Sequence, residues 1–72
     1  MKDGITLTVE IFRCNGKIEA VIGDPNHPTA LRGQGAEIPA ALSMLALDAQ
    51  AHPNTLEMHL HVAERENGHE NA

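Results

Sequence analysis

The sequence has no tryptophan, no tyrosine and one phenylalanine, Phe12, so any core it builds is aliphatic. Single-stranded nucleic acid is bound on aromatic stacking platforms, and one ring does not make a platform. Cysteine is equally scarce. Cys14 alone cannot close an internal disulfide, and no CxxC pair or HExxH helix offers a structural metal site. Serine occurs once, at Ser43, outside any GxSxG elbow, so a serine nucleophile is not expected. No stretch approaches the ~18 apolar residues that a membrane helix needs. Met1-Lys2-Asp3-Gly4 lacks the apolar region of a signal peptide, and with an unpaired cysteine the expected compartment is a reducing cytoplasm. Basic residues are few as well, five against ten acidic, for a formal charge of -5. That sign opposes the gathering of nucleic-acid phosphates, so direct nucleic-acid binding is disfavoured and a basic protein partner is favoured.

What is present is 72 residues, 42% of them hydrophobic, which is a globular composition in a chain with room for one domain. A domain of this size buries only ~60% of the surface its unfolded chain exposes. Its stability margin is therefore small, and without disulfide or metal the expected support is association with a copy or a partner. The domain is expected to span residues 1–63, with residues 64–72, polar and containing Gly68, as a flexible acidic tail.

Residues 5–13 alternate, with Ile5, Leu7, Val9 and Ile11 on one face and Thr6, Thr8, Glu10 and Phe12 on the other. Period two denotes a half-buried strand. Asn15-Gly16 follows, the dipeptide of a type I′ hairpin turn, because both residues accept positive φ. Residues 17–23 then return as a second strand, with Val9 opposite Ile22, Ile11 opposite Ala20 and Arg13 opposite Ile18. Asp24-Pro25-Asn26-His27-Pro28 ends the hairpin. Residues 29–31 have room for a short edge strand, and Gly33-Gln34-Gly35 reads as a flexible loop rather than a phosphate cradle, since no Walker lysine accompanies it. Pro39 opens a helix over 39–51 with a core stripe of Ile38, Leu42, Leu45 and Ala49, and His52-Pro53-Asn54 stops it. Residues 56–62 alternate again and are expected to form strand three. The expected fold is α+β, ββαβ, a three-stranded antiparallel sheet in the order 2-1-3 with one helix on one face. Leu7, Val9, Ile11, Ile18, Ile22, Leu42, Leu45, Met58 and Leu60 are the expected core.

Two features bear on function. On a strand, His59 and His61 share one face, which makes them weak candidate metal ligands; spacing assures two ligands where a site needs three or four. No cofactor is expected. The helix carries a second apolar side, Ala40, Met44, Leu47 and Ala51, where a lone surface helix would be polar. It is the first candidate for self-association or partner binding, and Met44 suits an adaptable contact. The outer sheet face around Phe12 and Glu57 is the second. A single-layered domain offers little volume for a catalytic cleft, so no enzyme is expected.

The run Ala30-Leu31-Arg32-Gly33-Gln34-Gly35-Ala36-Glu37-Ile38-Pro39-Ala40-Ala41-Leu42, following a hairpin and a Pro-containing turn, resembles HicB-like antitoxin domains. Gly35 and Ala41-Leu42 keep the family's spacing, while Pro39 and Ala40 stand where it usually has acidic residues. The resemblance implies a protein that neutralises a partner. The expected function is thus a small acidic, non-catalytic protein-binding module, antitoxin-like or a phage-type inhibitor, acting as a homodimer on a basic target. The alternative is a small metal- or ligand-binding protein centred on His59 and His61.

Overall fold

The structure, a computed structural model, describes residues 4–70, with side chains described for 4–65. It is α+β. Strands β1 (Val9–Cys14), β2 (Lys17–Ile22) and β3 (Leu31–Gly35) are followed by helices α1 (Ile38–Ala51) and α2 (Pro53–Glu70). The sheet is antiparallel throughout, as expected. Its order is β1-β2-β3, not 2-1-3, and a second helix stands where a third strand is expected from the alternation in residues 56–62.

The hairpin forms for the reason its sequence states. Asn15 and Gly16 both adopt positive φ, 52° and 77°, which matches the twist of the flanking strands. The register is Val9 with Ile22, Ile11 with Ala20 and Arg13 with Ile18, as the two-residue turn requires. The following turn is held locally. Asn26 N–H donates to Asp24 Oδ1 at 2.9 Å, and the Thr29 N–H and hydroxyl both reach His27 Nδ1, at 3.2 and 2.8 Å.

The Gly33-Gln34-Gly35 run is strand, not flexible loop. Leu31, Gly33 and Gly35 face the helix, while Arg32 and Gln34 face away. A β-carbon on Gly33 would collide with the backbone of Ala41 and Leu45, and one on Gly35 would lie 2.6 Å from Ala40 Cβ. The glycines are there so that α1 can lie directly on β3. Pro39 sits in the first turn of α1, and His52 closes the helix by donating its N–H to the Asp48 and Ala49 carbonyls. Pro53, which ends α1, is pre-set for a helix start and opens α2.

Residues 56–62 are helical because the polypeptide there satisfies two periods at once. Leu56, Met58, Leu60 and Val62 alternate, but Leu56, His59, Leu60 and Ala63 recur at helical spacing, and this second set is the half-buried one. Leu, Glu and Met are strong helix formers, and Val62 is the lone β-branched residue in the stretch. Glu57 and His61, one turn apart, approach to 3.7 Å on the exposed side. From Glu64 to Glu70, within the stretch expected to be the tail, the backbone continues α2, and residues 71–72 lie outside the described residues.

The core is small. Ala20, Ile22 and Leu31 from the sheet close on Ala41 and Leu45 from α1, with Leu7, Val9, Ile18, Ala49 and Leu56 packed around them. Of the expected core, Ile22 and Leu45 are buried, Leu7, Val9, Ile18 and Leu60 are half-buried, and Ile11, Leu42 and Met58 are exposed. The strand order explains the difference. An order of 2-1-3 puts β1 in the centre under the helix; the actual order puts it on an edge, while α1 lies over β3 and β2.

Candidate partner-binding groove

The two long sides of the sheet end differently. In β3, Leu31, Gly33 and Gly35 pair with β2, so the backbone groups of Arg32 and Gln34 point outward along the free edge. One of these is met from the helix: Asp48 Oδ2 accepts the Arg32 N–H at 2.9 Å. Asp48 is the single charged residue in α1, and its Oδ1 also lies 3.2 Å from Nδ1 of His52. Its carboxylate fixes the helix beside the strand and sets how far the α1 side chains overhang the β3 edge.

Beyond Asp48 the overhang is apolar. At about 100° per residue, Met44 and Leu47 follow Asp48 around the helix away from the buried Ala41 and Leu45. They are exposed by 49% and 56%. Between them and the β3 edge runs an open groove of about 750 Å³, with Met44 and Leu47 on one wall and Arg32, Gln34 and Gly35 on the other. Lys17 and Glu19 close one end. Glu19 Oε2 accepts from Gln34 Nε2 at 3.3 Å, so the amide is held across the outer face. Arg32 sends its guanidinium to the Pro25 carbonyl, which ties the turn to the same face. Charge in the groove is balanced, Lys17 and Arg32 against Glu19 and Asp48. What the groove presents is therefore an apolar wall set against the backbone of Gln34 at the strand edge.

The other candidates are dispersed. Ala40 and Ala51 are exposed on α1 with Met44 and Leu47, and Ala40 packs at the Gly35 end of the groove. Phe12 is exposed on the outer face of β1. Glu57 belongs to α2, not to the sheet, so Phe12 and Glu57 do not form one face. His59 and His61 likewise lose their shared face, because residues two apart on a helix are about 200° apart. His59 turns inward: its Nε2 donates to the Thr29 carbonyl at 2.9 Å, and its ring lies under Gly23, whose φ is +95°. His61 turns outward to Glu57. Among the described residues no three His, Cys, Asp or Glu side chains converge as a metal site would need. Asp48, Arg32 and Gln34 are absent from the sequence-derived site. The signal for Asp48 was a lone charge in an otherwise uncharged helix.

Comparison with protein-family models, with curated proteins and with solved structures finds no match to this chain. Among the described residues no helix is long and apolar enough to cross a membrane.

Proposed function

We propose that this chain is a small non-catalytic protein-binding module, and that it takes an extended, apolar-anchored segment of a partner protein into the groove between β3 and α1. The observation that carries this reading is the juxtaposition of exposed Met44 and Leu47 with a strand edge whose Gln34 backbone is unpaired. Strand addition draws affinity from main-chain hydrogen bonds and specificity from pockets for alternate side chains, and the groove provides one of each. The net charge of -5 favours a basic partner, as long-range attraction raises the encounter rate even where the groove itself is balanced.

Within that class, an antitoxin-like or phage-type inhibitor is the reading that the resemblance to HicB-like domains supports. A hairpin, a Pro-containing turn, a strand ending in Gly35 and a helix carrying Ala41-Leu42 follow one another in the order the resemblance implies. The test is affinity capture from the source cell with the wild type and with Met44→Glu/Leu47→Glu, retained proteins being identified by mass. A basic protein retained in stoichiometric amount by the wild type and lost by the double variant is the expected result. Identical retention by both proteins refutes the groove.

A further inference from the structure

Asparagine followed by glycine is the pair in which a side-chain amide is most easily lost, because glycine puts no side chain in the way of its own nitrogen. The chain has two such pairs, Asn15-Gly16 and Asn67-Gly68. The fold sets them in opposite surroundings. The backbone of Asn67 and Gly68 is helical, within α2, so the Gly68 N–H falls in the ladder that runs from each N–H to the carbonyl four residues earlier. Asn15 and Gly16 are instead the two central residues of the turn between β1 and β2, and both are exposed. A two-residue turn places its hydrogen bonds on the flanking pair, here Cys14 and Lys17, and leaves the central N–H groups outside the ladder. Among the described residues neither the Asn15 carboxamide nor the Gly16 N–H has a hydrogen-bond partner. A β-carbon on Gly16 would meet nothing within 4 Å, so the space beside it is open.

Charge at the tip favours the same chemistry. Arg13, Asn15, Gly16 and Lys17 line one open concavity of about 430 Å³. The six residues from Arg13 to Ile18 hold two bases and no acid, in a chain whose net charge is -5. A backbone N–H has to give up its proton before its nitrogen can attack, and neighbouring positive charge stabilises the anion that results.

We propose that Asn15 is a modification site, converted in the folded protein to aspartate and isoaspartate by attack of its own backbone. The Gly16 nitrogen, its proton passed to solvent, forms a bond to Cγ of Asn15. The bond from Cγ to the side-chain nitrogen breaks, and that nitrogen takes up a proton and leaves as ammonia. Nothing is oxidised or reduced. Water then opens the five-membered imide at one of its two carbonyls. Opening at Cγ yields aspartate with the main chain intact. Opening at the backbone carbonyl yields isoaspartate, in which the main chain runs through Cγ.

The two products differ in what the hairpin can do with them. Aspartate is among the residues that tolerate the φ of 52° at this position, so it keeps the turn and adds one negative charge beside Arg13 and Lys17. Isoaspartate lengthens the main chain by one carbon. A turn of two residues has no slack for it, because its length sets the pairing of Cys14 with Lys17. The tip opens, while the pairs farther along, Phe12 with Glu19 and Ile11 with Ala20, stay in place.

The experiment is incubation of the full chain in mildly alkaline buffer, folded and in parallel in guanidinium chloride, followed by cleavage after glutamate, which leaves Asn15 and Asn67 in separate peptides. Loss of the amide is read by mass, and isoaspartate by methyl transfer from S-adenosylmethionine with an isoaspartyl methyltransferase. In the folded chain the Asn15 peptide is expected to change several-fold faster than the Asn67 peptide. In guanidinium chloride, where both pairs are unfolded alike, the difference is expected to vanish. Amide exchange at Cys14 and Lys17 is expected to quicken in the isoaspartate form and not in Asn15→Asp, which carries the charge without the extra carbon. An Asn15 peptide that changes no faster than the Asn67 peptide in the folded chain overturns the proposal. A difference of the same size in guanidinium chloride overturns it too, since the difference then owes nothing to the turn.

Discussion

Gly33→Ala adds a single methyl group at the place where α1 meets the sheet most closely. That methyl would collide with the backbone N of Leu45 and the carbonyl of Ala41, neither of which can rotate away as a side-chain tip would. The helix has to lift, and lifting it opens the contacts of Ala41 and Leu45 with Ala20, Ile22 and Leu31, which are nearly the whole core. Two effects run the other way. Alanine restricts the unfolded chain, favouring the fold by about 0.4 to 1 kcal/mol, and it is a better strand residue than glycine. Overpacking typically costs about 1 to 3 kcal/mol, and a clash with backbone belongs at the upper end of that range. The net expectation is a loss of about 1 to 2 kcal/mol from a total of about 4 to 11 kcal/mol for a chain of this length. Urea denaturation at fixed protein concentration reads it directly. With a slope near 1 kcal/mol per molar, the midpoint falls by about 1 to 2 M. Gly4→Ala, whose new methyl meets nothing, is the control and should move the midpoint little. A Gly33→Ala protein as stable as the wild type would refute the close approach of α1 to β3.

Leu45→Ala, at a buried position, is expected to cost about 2 to 5 kcal/mol, whereas Leu42→Ala, on the same helix but exposed, should cost clearly less; equal losses in the denaturation midpoint would show that the helix is rotated from its described setting. His59→Ala removes the bond from Nε2 to the Thr29 carbonyl and should cost about 0.5 to 1.5 kcal/mol. Amide exchange in residues 24–30 is expected to quicken at the same time, and an unchanged exchange pattern would mean that α2 does not brace the turn.

The hairpin was legible residue by residue, because a two-residue turn leaves one register and the alternation of Ile11 with Phe12 and of Ile18 with Glu19 says which side is which. The helix bounds were legible from Pro39 and Pro53, whose missing N–H groups are tolerated only near a helix start. β3 was hidden for a physical reason. Two of its three inward positions, Gly33 and Gly35, are glycines chosen for what they leave out, and hydrophobic patterning cannot register an absence. Gly33 and Gly35 against Arg32 and Gln34 are themselves an alternation when read by size in place of polarity. Residues 56–62 misled because histidine at 59 is half-buried in the fold while counting as polar in the alternation. Once one helix is misread as a strand, the sheet order inverts, and Ile11, Leu42 and Met58 are assigned neighbours they do not have. The apolar side of α1 was legible from the helical wheel alone; that it faces a strand edge was not, since that depends on where β3 lies.

The strand order has a kinetic consequence. Each element packs against one that is close to it along the chain: β1 on β2, β2 on β3 and α1 on β3. The farthest-reaching hydrogen bond described, His59 to Thr29, spans 30 residues. A meander of this kind closes short loops in succession, beginning with a hairpin that forms in roughly 1 to 10 μs. Such local topologies fold fast, because little loop entropy is lost before contacts repay it. Refolding of the chain should therefore be fast and independent of protein concentration, which stopped-flow measurements at several concentrations would read directly.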